Sequence, residues 1–197
     1  MTTFSREYIE QVKQTLDIFP HEQFEALVNV LVTALRNKRN IFVMGNGGSG
    51  ATASHWVCDM NKGCGYGREQ RFRMMCLNDN IPTLLAYAND VGYEDIFVEQ
   101  LKNFLEEGDV VIAISGSGNS KNVVKAIEYA NSKGAITVGL VGYSGGKLLN
   151  LVQIPLHIPV NDMQIVEDIH MMVVHMTMRR LLQEFESGSL RPEKSQG

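Results

Sequence analysis

Twice in this chain a short apolar run breaks off into a loop of glycine, serine and asparagine, and a helical pattern opens directly behind it. The first unit is Asn40-Ile-Phe-Val-Met44 followed by Gly45-Asn-Gly-Gly-Ser-Gly50; the second is Val110-Val-Ile-Ala-Ile-Ser115 followed by Gly116-Ser-Gly-Asn-Ser120 and a helix from Lys121. Backbone N–H groups at a helix N-terminus lack intrahelical partners and carry partial positive charge, so such a turn receives anions, phosphate above all. The hydroxyls of Ser115, Ser117 and Ser120 add donors, and Gly116 and Gly118 let the backbone approach closely. A plain turn needs fewer hydroxyls and glycines. Two such units in one small chain point to a phosphorylated small molecule held between them.

The remainder of the chain fits around these units. Strands are expected at residues 40–44, 72–77, 109–114, 135–141 and 154–159. Helices are expected at 49–61, 81–88, 94–104, 119–133 and 164–186, with a short one after Gly146. Two further helices, 4–18 and 21–38, precede them around Pro20; the second carries Phe24, Leu27, Val28, Leu31, Val32 and Leu35 at helical spacing. Strands alternating with helices imply parallel pairing and right-handed crossovers. The expected fold class is therefore α/β, a three-layer doubly wound and mainly parallel five-stranded sheet of flavodoxin-like type, with N-terminal helices and a long C-terminal helix. We expect one domain over 1–187, made of a helical hairpin (1–38) and an α/β core with the C-terminal helix (39–187), and a flexible tail over 188–197. Pro155 and Pro159 suit an edge position for the last strand. Ligands of such sheets bind at the carboxyl ends of the strands, where both Gly/Ser loops fall.

Composition narrows the partners. A formal net charge of −4 over 197 residues offers no electrostatic footing for nucleic acid or an anionic membrane. The small basic cluster Arg68–Arg73 reads as a solvated loop. Three cysteines, an odd count without C-x-x-C spacing, favour reduced thiols over a disulfide framework. No apolar run approaches the ~20 residues that span a bilayer, and the N-terminal residues carry no signal-peptide pattern. A cytoplasmic location is expected. Gly45–Gly50 also fits the dinucleotide fingerprint G-x-G-x-x-G in its strand–turn–helix context. That pattern wants an acidic residue about 20 positions on at the end of the second strand. Here the second strand closes nearer Asn78-Asp79, and a nucleotide would leave the Ser115–Ser120 loop unexplained. No Gly-Lys-Ser/Thr follows either loop, which excludes a Walker A site.

Four segments in order, Gly45-Asn-Gly-Gly-Ser49 with His55, Ala88-Asn-Asp-Val-Gly-Tyr93, Ser115-Gly-Ser-Gly-Asn-Ser120, and Glu167-Asp-Ile-His170 with His175, carry a family likeness over nearly the whole chain. By these the chain resembles the sugar isomerase (SIS) domain family and, within it, the isomerases of heptose phosphates. The resemblance implies an aldose–ketose isomerase converting sedoheptulose 7-phosphate to D-glycero-D-manno-heptose 7-phosphate through a metal-assisted enediol. It implies a homotetramer with active sites at subunit interfaces. Ser115, Gly116, Ser117 and Ser120 would hold the phosphate, while Asn46, Gly47, Gly48, Ser49, Asn89, Asp90 and Glu167 line the sugar site. One zinc ion per subunit would be bound by His55, Asp59, Glu167 and His175, with Asp59 and His175 as the acid–base pair. The spacing agrees, since His55 and Asp59 stand at i,i+4 and Glu167 and His175 eight apart, two turns of a helix.

The chain departs from the family in three places. Asp59 stands where the family has Glu, Glu167 where it has Gln, and Gln164 where an Asp is typical. Two carboxylates in one metal shell would tighten a divalent ion while lowering its Lewis acidity. His170 is expected to be a hydrogen-bonded core residue, Trp56 packing, and Met171, Met172, Met176 and Met178 an adaptable packing surface. Two other functions stand beside isomerisation of a heptose phosphate. One is a non-catalytic phosphosugar-binding SIS protein, a tetrameric scaffold or partner of a replication initiator; the other is an isomerase of a different sugar phosphate.

Overall fold

The computed structural model of the chain describes residues 3–188 and residue 190. Two helices open it, α1 (Phe4–Leu16) and α2 (His21–Arg36). Then follow β1 (Asn40–Gly45), α3 (Gly47–Cys58) running on into a π turn (Asp59–Cys64), and β2 (Arg73–Cys76). Next come α4 (Ile81–Asp90), a 3₁₀ turn (Tyr93–Asp95), α5 (Val98–Phe104), β3 (Val110–Ser115) and α6 (Lys121–Ser132). The chain closes with β4 (Ile136–Gly142), α7 (Leu148–Leu151), β5 (Ile154–Ile158) and α8 (Met163–Ser187). The five strands form one sheet in the order β2-β1-β3-β4-β5, and every pair is parallel. The expected fold class is the observed one. With β5 at an edge, Pro155 forgoes no central ladder bond.

Side-chain alternation along the strands builds two apolar layers. Ile41, Val43, Val110, Ile112, Ile114, Val138 and Leu140 face α2, α3 and α8, whereas Phe42, Met44, Val111, Ala113 and Val141 face α5, α6 and α7. β1 and β3 are buried almost throughout, as strands covered on both faces must be. Leu190 is 2% exposed and joins the first layer; residue 189 and residues 191–197 of the expected tail lie outside the described residues.

This topology fixes where a ligand can lie. The register pairs Gly45 with Ile114 and Ser115 with Val141, so the loops after β1 and β3 leave one edge of the sheet side by side. α3 then turns to one face and α6 to the other. The crevice between them is the switch point of a 2-1-3-4-5 sheet, the place where such folds bind ligands.

The largest difference from expectation is the end of α3. In place of a loop from Asn61, the helix widens into a π turn over Asp59–Cys64, with Asn61 Nδ2 donating to the Met74 carbonyl at 2.9 Å. Gly63 in that turn lies against the terminal methyl of Met178 on α8. The three cysteines are free. Burial raises the thiol pKa values of Cys64 and Cys76 to about 11 and about 12. Among the described residues no helix is long and apolar enough to cross a membrane.

Candidate active site

The first loop is held from behind by Asn78, which follows β2. Its side chain accepts from Gly45 N at 3.2 Å and donates to Gly45 O at 2.7 Å, acting like a strand's backbone beside the last residue of β1. Gly45 itself is compelled, because a Cβ there would meet the Ser49 backbone at 2.7 Å and the Ile114 carbonyl at 2.9 Å. Asn46 follows at the N-cap of α3, and Gly47 has φ +53°, a left-handed conformation suited to glycine.

The second loop is built differently. Gly118 has φ +64°, and a Cβ on it would run into the carbonyl oxygen of Gly145 in the loop after β4. Asn119 ties the same two loops, its Oδ1 accepting from Lys147 N at 3.1 Å. Ser115 is buried, and its hydroxyl faces that of Ser120 at 3.3 Å. Ser117 is exposed and accepts from Asn119 N at 3.2 Å. Ser120 stands at the N-cap of α6 without capping it, so hydroxyls and first-turn N–H groups gather at one point, as phosphate binding requires.

Further along α3 lies a cluster of metal-type donors. His55 Nε2 is 3.1 Å from His175 Nε2 and 3.3 Å from Asp59 Oδ2, and one donor atom from each residue lies within 4.8 Å of the others. α3 supplies His55, the π turn that continues it supplies Asp59 one turn on, and α8 supplies His175. The two helices run side by side in the same direction, since Gly48 meets Glu167 and Gly63 meets Met178 as His55 meets His175. The donor set suits a zinc-like divalent ion. Ligand bonds of about 2.0–2.1 Å in a tetrahedral shell place neighbouring donors roughly 3.3 Å apart, close to the separations found here. Three such donors are one fewer than the four of a closed structural zinc site.

Glu167 stands apart from this cluster. Its carboxylate covers Gly48, with Oε1 and Oε2 at 2.7 and 2.9 Å from where a Cβ on that glycine would be. The structure therefore brings together three of the four expected ligands and places the fourth over the first turn of α3. Ser49 is buried in that turn. Asn89 and Asp90 are exposed at the end of α4, bonded to each other at 2.7 Å.

His170 is buried as expected, yet neither ring nitrogen has a hydrogen-bond partner among the described residues. Burial lowers its pKa to about 4; the Val141 backbone favours the charged ring slightly without forming a hydrogen bond. Trp56 is fully buried packing, with its indole N–H unpartnered. The sequence reading missed Asn78, Tyr93 and Asn122 as residues that shape the crevice. The signal at Asn122, an amide in the first turn of α6 behind the serine loop, was present but indistinct from a surface residue.

The comparisons with known proteins give the family and the fold. Residues 7–142 match the profile of a family described as the SIS domain. The chain is 38% identical over 157 residues to a phosphoheptose isomerase of Geotalea daltonii, covering 76% of this chain and 78% of that one. It is 35% identical over 167 residues to the phosphoheptose isomerase of Helicobacter pylori strain P12, covering 84% and 85%. Among solved structures it is similar to phosphoheptose isomerases from Francisella tularensis (TM-score 0.82, 27% identity, 93% of this chain and 100% of that one) and Neisseria gonorrhoeae (TM-score 0.82, 26% identity, 91% and 96%).

Proposed function

The chain belongs to the SIS domain family, and from that premise we propose that it is a sugar-phosphate isomerase acting on a seven-carbon substrate, interconverting sedoheptulose 7-phosphate and D-glycero-D-manno-heptose 7-phosphate. The observation that carries the reading is the pairing of a serine-rich anion seat at α6 with the His55/Asp59/His175 cluster on α3 and α8. A scaffold that only binds phosphosugars has no need of the second feature.

In this reading Ser115, Gly116, Ser117 and Ser120 hold the phosphate, and Asn46, Gly47, Gly48, Ser49, Asn89, Asp90 and Glu167 face the sugar. His55, Asp59 and His175 would hold a zinc ion, which when bound supplies positive charge to oxygens at the reacting end of the sugar. Asp59 and His175 divide the proton transfers, doubling as metal ligands or alternating between the two roles. A base takes a proton from C1 of the ketose while an acid protonates the C2 oxygen, giving the enediol. The O1 proton then leaves and C2 is protonated, giving the aldose. Four copies are proposed to assemble. That accords with the unburied α4, whose Ile81 and Leu85 are 56% and 60% exposed.

The test is incubation of metal-analysed protein with sedoheptulose 7-phosphate, followed by NMR, beside a sample stripped with EDTA. Conversion to an aldose phosphate that fails after stripping is expected. Metal-replete protein that leaves the ketose unchanged overturns the proposal.

A further inference from the structure

Asn46 and Ser120 occupy the N-cap positions of α3 and α6, where Asn and Ser side chains ordinarily accept a hydrogen bond from the first turn. Neither does so. For Asn46 the cause is explicit. Its Nδ2 donates to Asn122 Oδ1 at 2.9 Å, and its Oδ1 accepts from Asn122 Nδ2 at 2.9 Å and from the Tyr93 hydroxyl at 3.0 Å. Both acceptor positions on the oxygen are filled, so nothing remains with which to cap α3.

The orientation of this pair is determined by the backbone. Asn122 Oδ1 also accepts from Val123 N at 2.9 Å, so the oxygen of that amide must face the helix and the Asn46 nitrogen. The Asn122 nitrogen then faces Asn46 Oδ1, which fixes the second amide, and the Tyr93 hydroxyl can only donate to it. Asn122 is 2% exposed and cannot exchange its partners for water. One N–H of Asn46 is left without a partner among the described residues. The chain itself places an anion over the uncapped turn, the carboxylate of Glu167 against Gly48.

The pair also crosses the crevice, joining the first turn of α6 to the entry of α3 on the opposite face of the sheet. The 3₁₀ turn that carries Tyr93 is fastened to α6 by two ion pairs, Lys121–Glu94 at 2.8 Å and Lys125–Asp95 at 2.6 Å. We propose that Asn122 and Tyr93 are positioning residues that act through Asn46. They hold its amide with one N–H free for the sugar and leave the first turn of α3 without a side-chain cap, beneath the Glu167 carboxylate. This rests on the isomerase reading.

The experiment is a mutant cycle on the full chain with sedoheptulose 7-phosphate, using Tyr93→Phe, Asn122→Ala, Asn46→Ala and the two doubles with Asn46→Ala. Tyr93 is exposed, so its variant keeps the fold irrespective of Asn122. We expect Tyr93→Phe to lower kcat/KM about threefold to tenfold and Asn122→Ala at least tenfold, whereas in the Asn46→Ala background each adds less than about twofold. Inhibition by inorganic phosphate, which reads the α6 seat, should be unchanged in Tyr93→Phe, and metal content unchanged in all variants. A general loosening of the site would move both. Effects that multiply in the doubles, or single variants as active as the parent, overturn the proposal while the isomerase reading stands. Parent protein that does not convert the ketose overturns that reading, and this proposal with it.

Discussion

At the scale of single residues, the proposed reacting groups are spread over α8 and the π turn that continues α3. Asp59→Asn and His175→Gln are each expected to lower kcat by ~10²-fold or more, the usual scale for general acid–base catalysis. Steady-state turnover with sedoheptulose 7-phosphate checks this, and near-parental rates in both would remove these residues from the chemistry. His170 makes a different prediction. Burial holds its pKa at about 4 against an ordinary 6.5, so the unfolded chain takes up a proton that the folded chain refuses. Its contribution is therefore intact above about pH 6.5 and is lost as pH falls toward 4. His170→Leu should flatten that part of the stability profile, seen as a smaller drop in Tm between about pH 7.5 and pH 5 than the parent shows. The grouping of His55, Asp59 and His175 was legible in the sequence as helical spacing within family motifs, whereas the position of Glu167 over Gly48, apart from them, was not. Asn78 and Asn122 were not, because their partners lie 33 and 76 positions away and only the fold brings them together.

At the scale of elements, strand positions were legible because buried parallel strands read as unbroken apolar runs bounded by glycine, which holds for β1 and β3. The π turn after α3 was not, since nothing local separates a widened helix from a glycine-rich loop. Its cause is tertiary: the bond from Asn61 to β2 and the fit of Gly63 against Met178. π turns are frequent at functional sites, and this one begins at Asp59. The two glycine loops differ in what they tolerate. Gly118→Ala places a methyl group against the Gly145 carbonyl and strains a left-handed residue. We expect affinity for inorganic phosphate to fall at least tenfold, with a lowered Tm. Gly47 has open space around its Cα, so Gly47→Ala carries only the left-handed penalty of about 1 kcal/mol. Calorimetric titration of both variants with phosphate tests the contrast, which equal losses would contradict.

At the scale of the whole molecule, most of the exposed large apolar side chains fall on or just after α1 and around α4, with Tyr66, Met75 and Phe104 elsewhere. Phe4 is 82% exposed, and Leu85 and Val91 are each 60% exposed. α1 buries only Thr15 and is tied to α8 by the Tyr8 hydroxyl donating to Asp168 Oδ2 at 2.6 Å. Such surfaces are costly to leave in water, and covering them with further copies is consistent with the proposed tetramer. Leu85→Glu should shift the mass in solution, measured by light scattering, toward smaller species. A parent already monomeric would dismiss the assembly.

α3 is also a ruler. The eight steps from Gly47 to His55, at roughly 1.5 Å each, set about 12 Å of rigid helix between the mouth of the crevice and the metal-type cluster. A sugar phosphate anchored by its phosphate at the mouth must be long enough to present its carbonyl at the other end. In the proposed reading the site would thus count carbons without touching each one. Lengthening helps only until the reacting carbons arrive, so kcat/KM should fall steeply as the substrate is shortened to six and then five carbons. Equal rates across that series would mean that the ruler measures nothing.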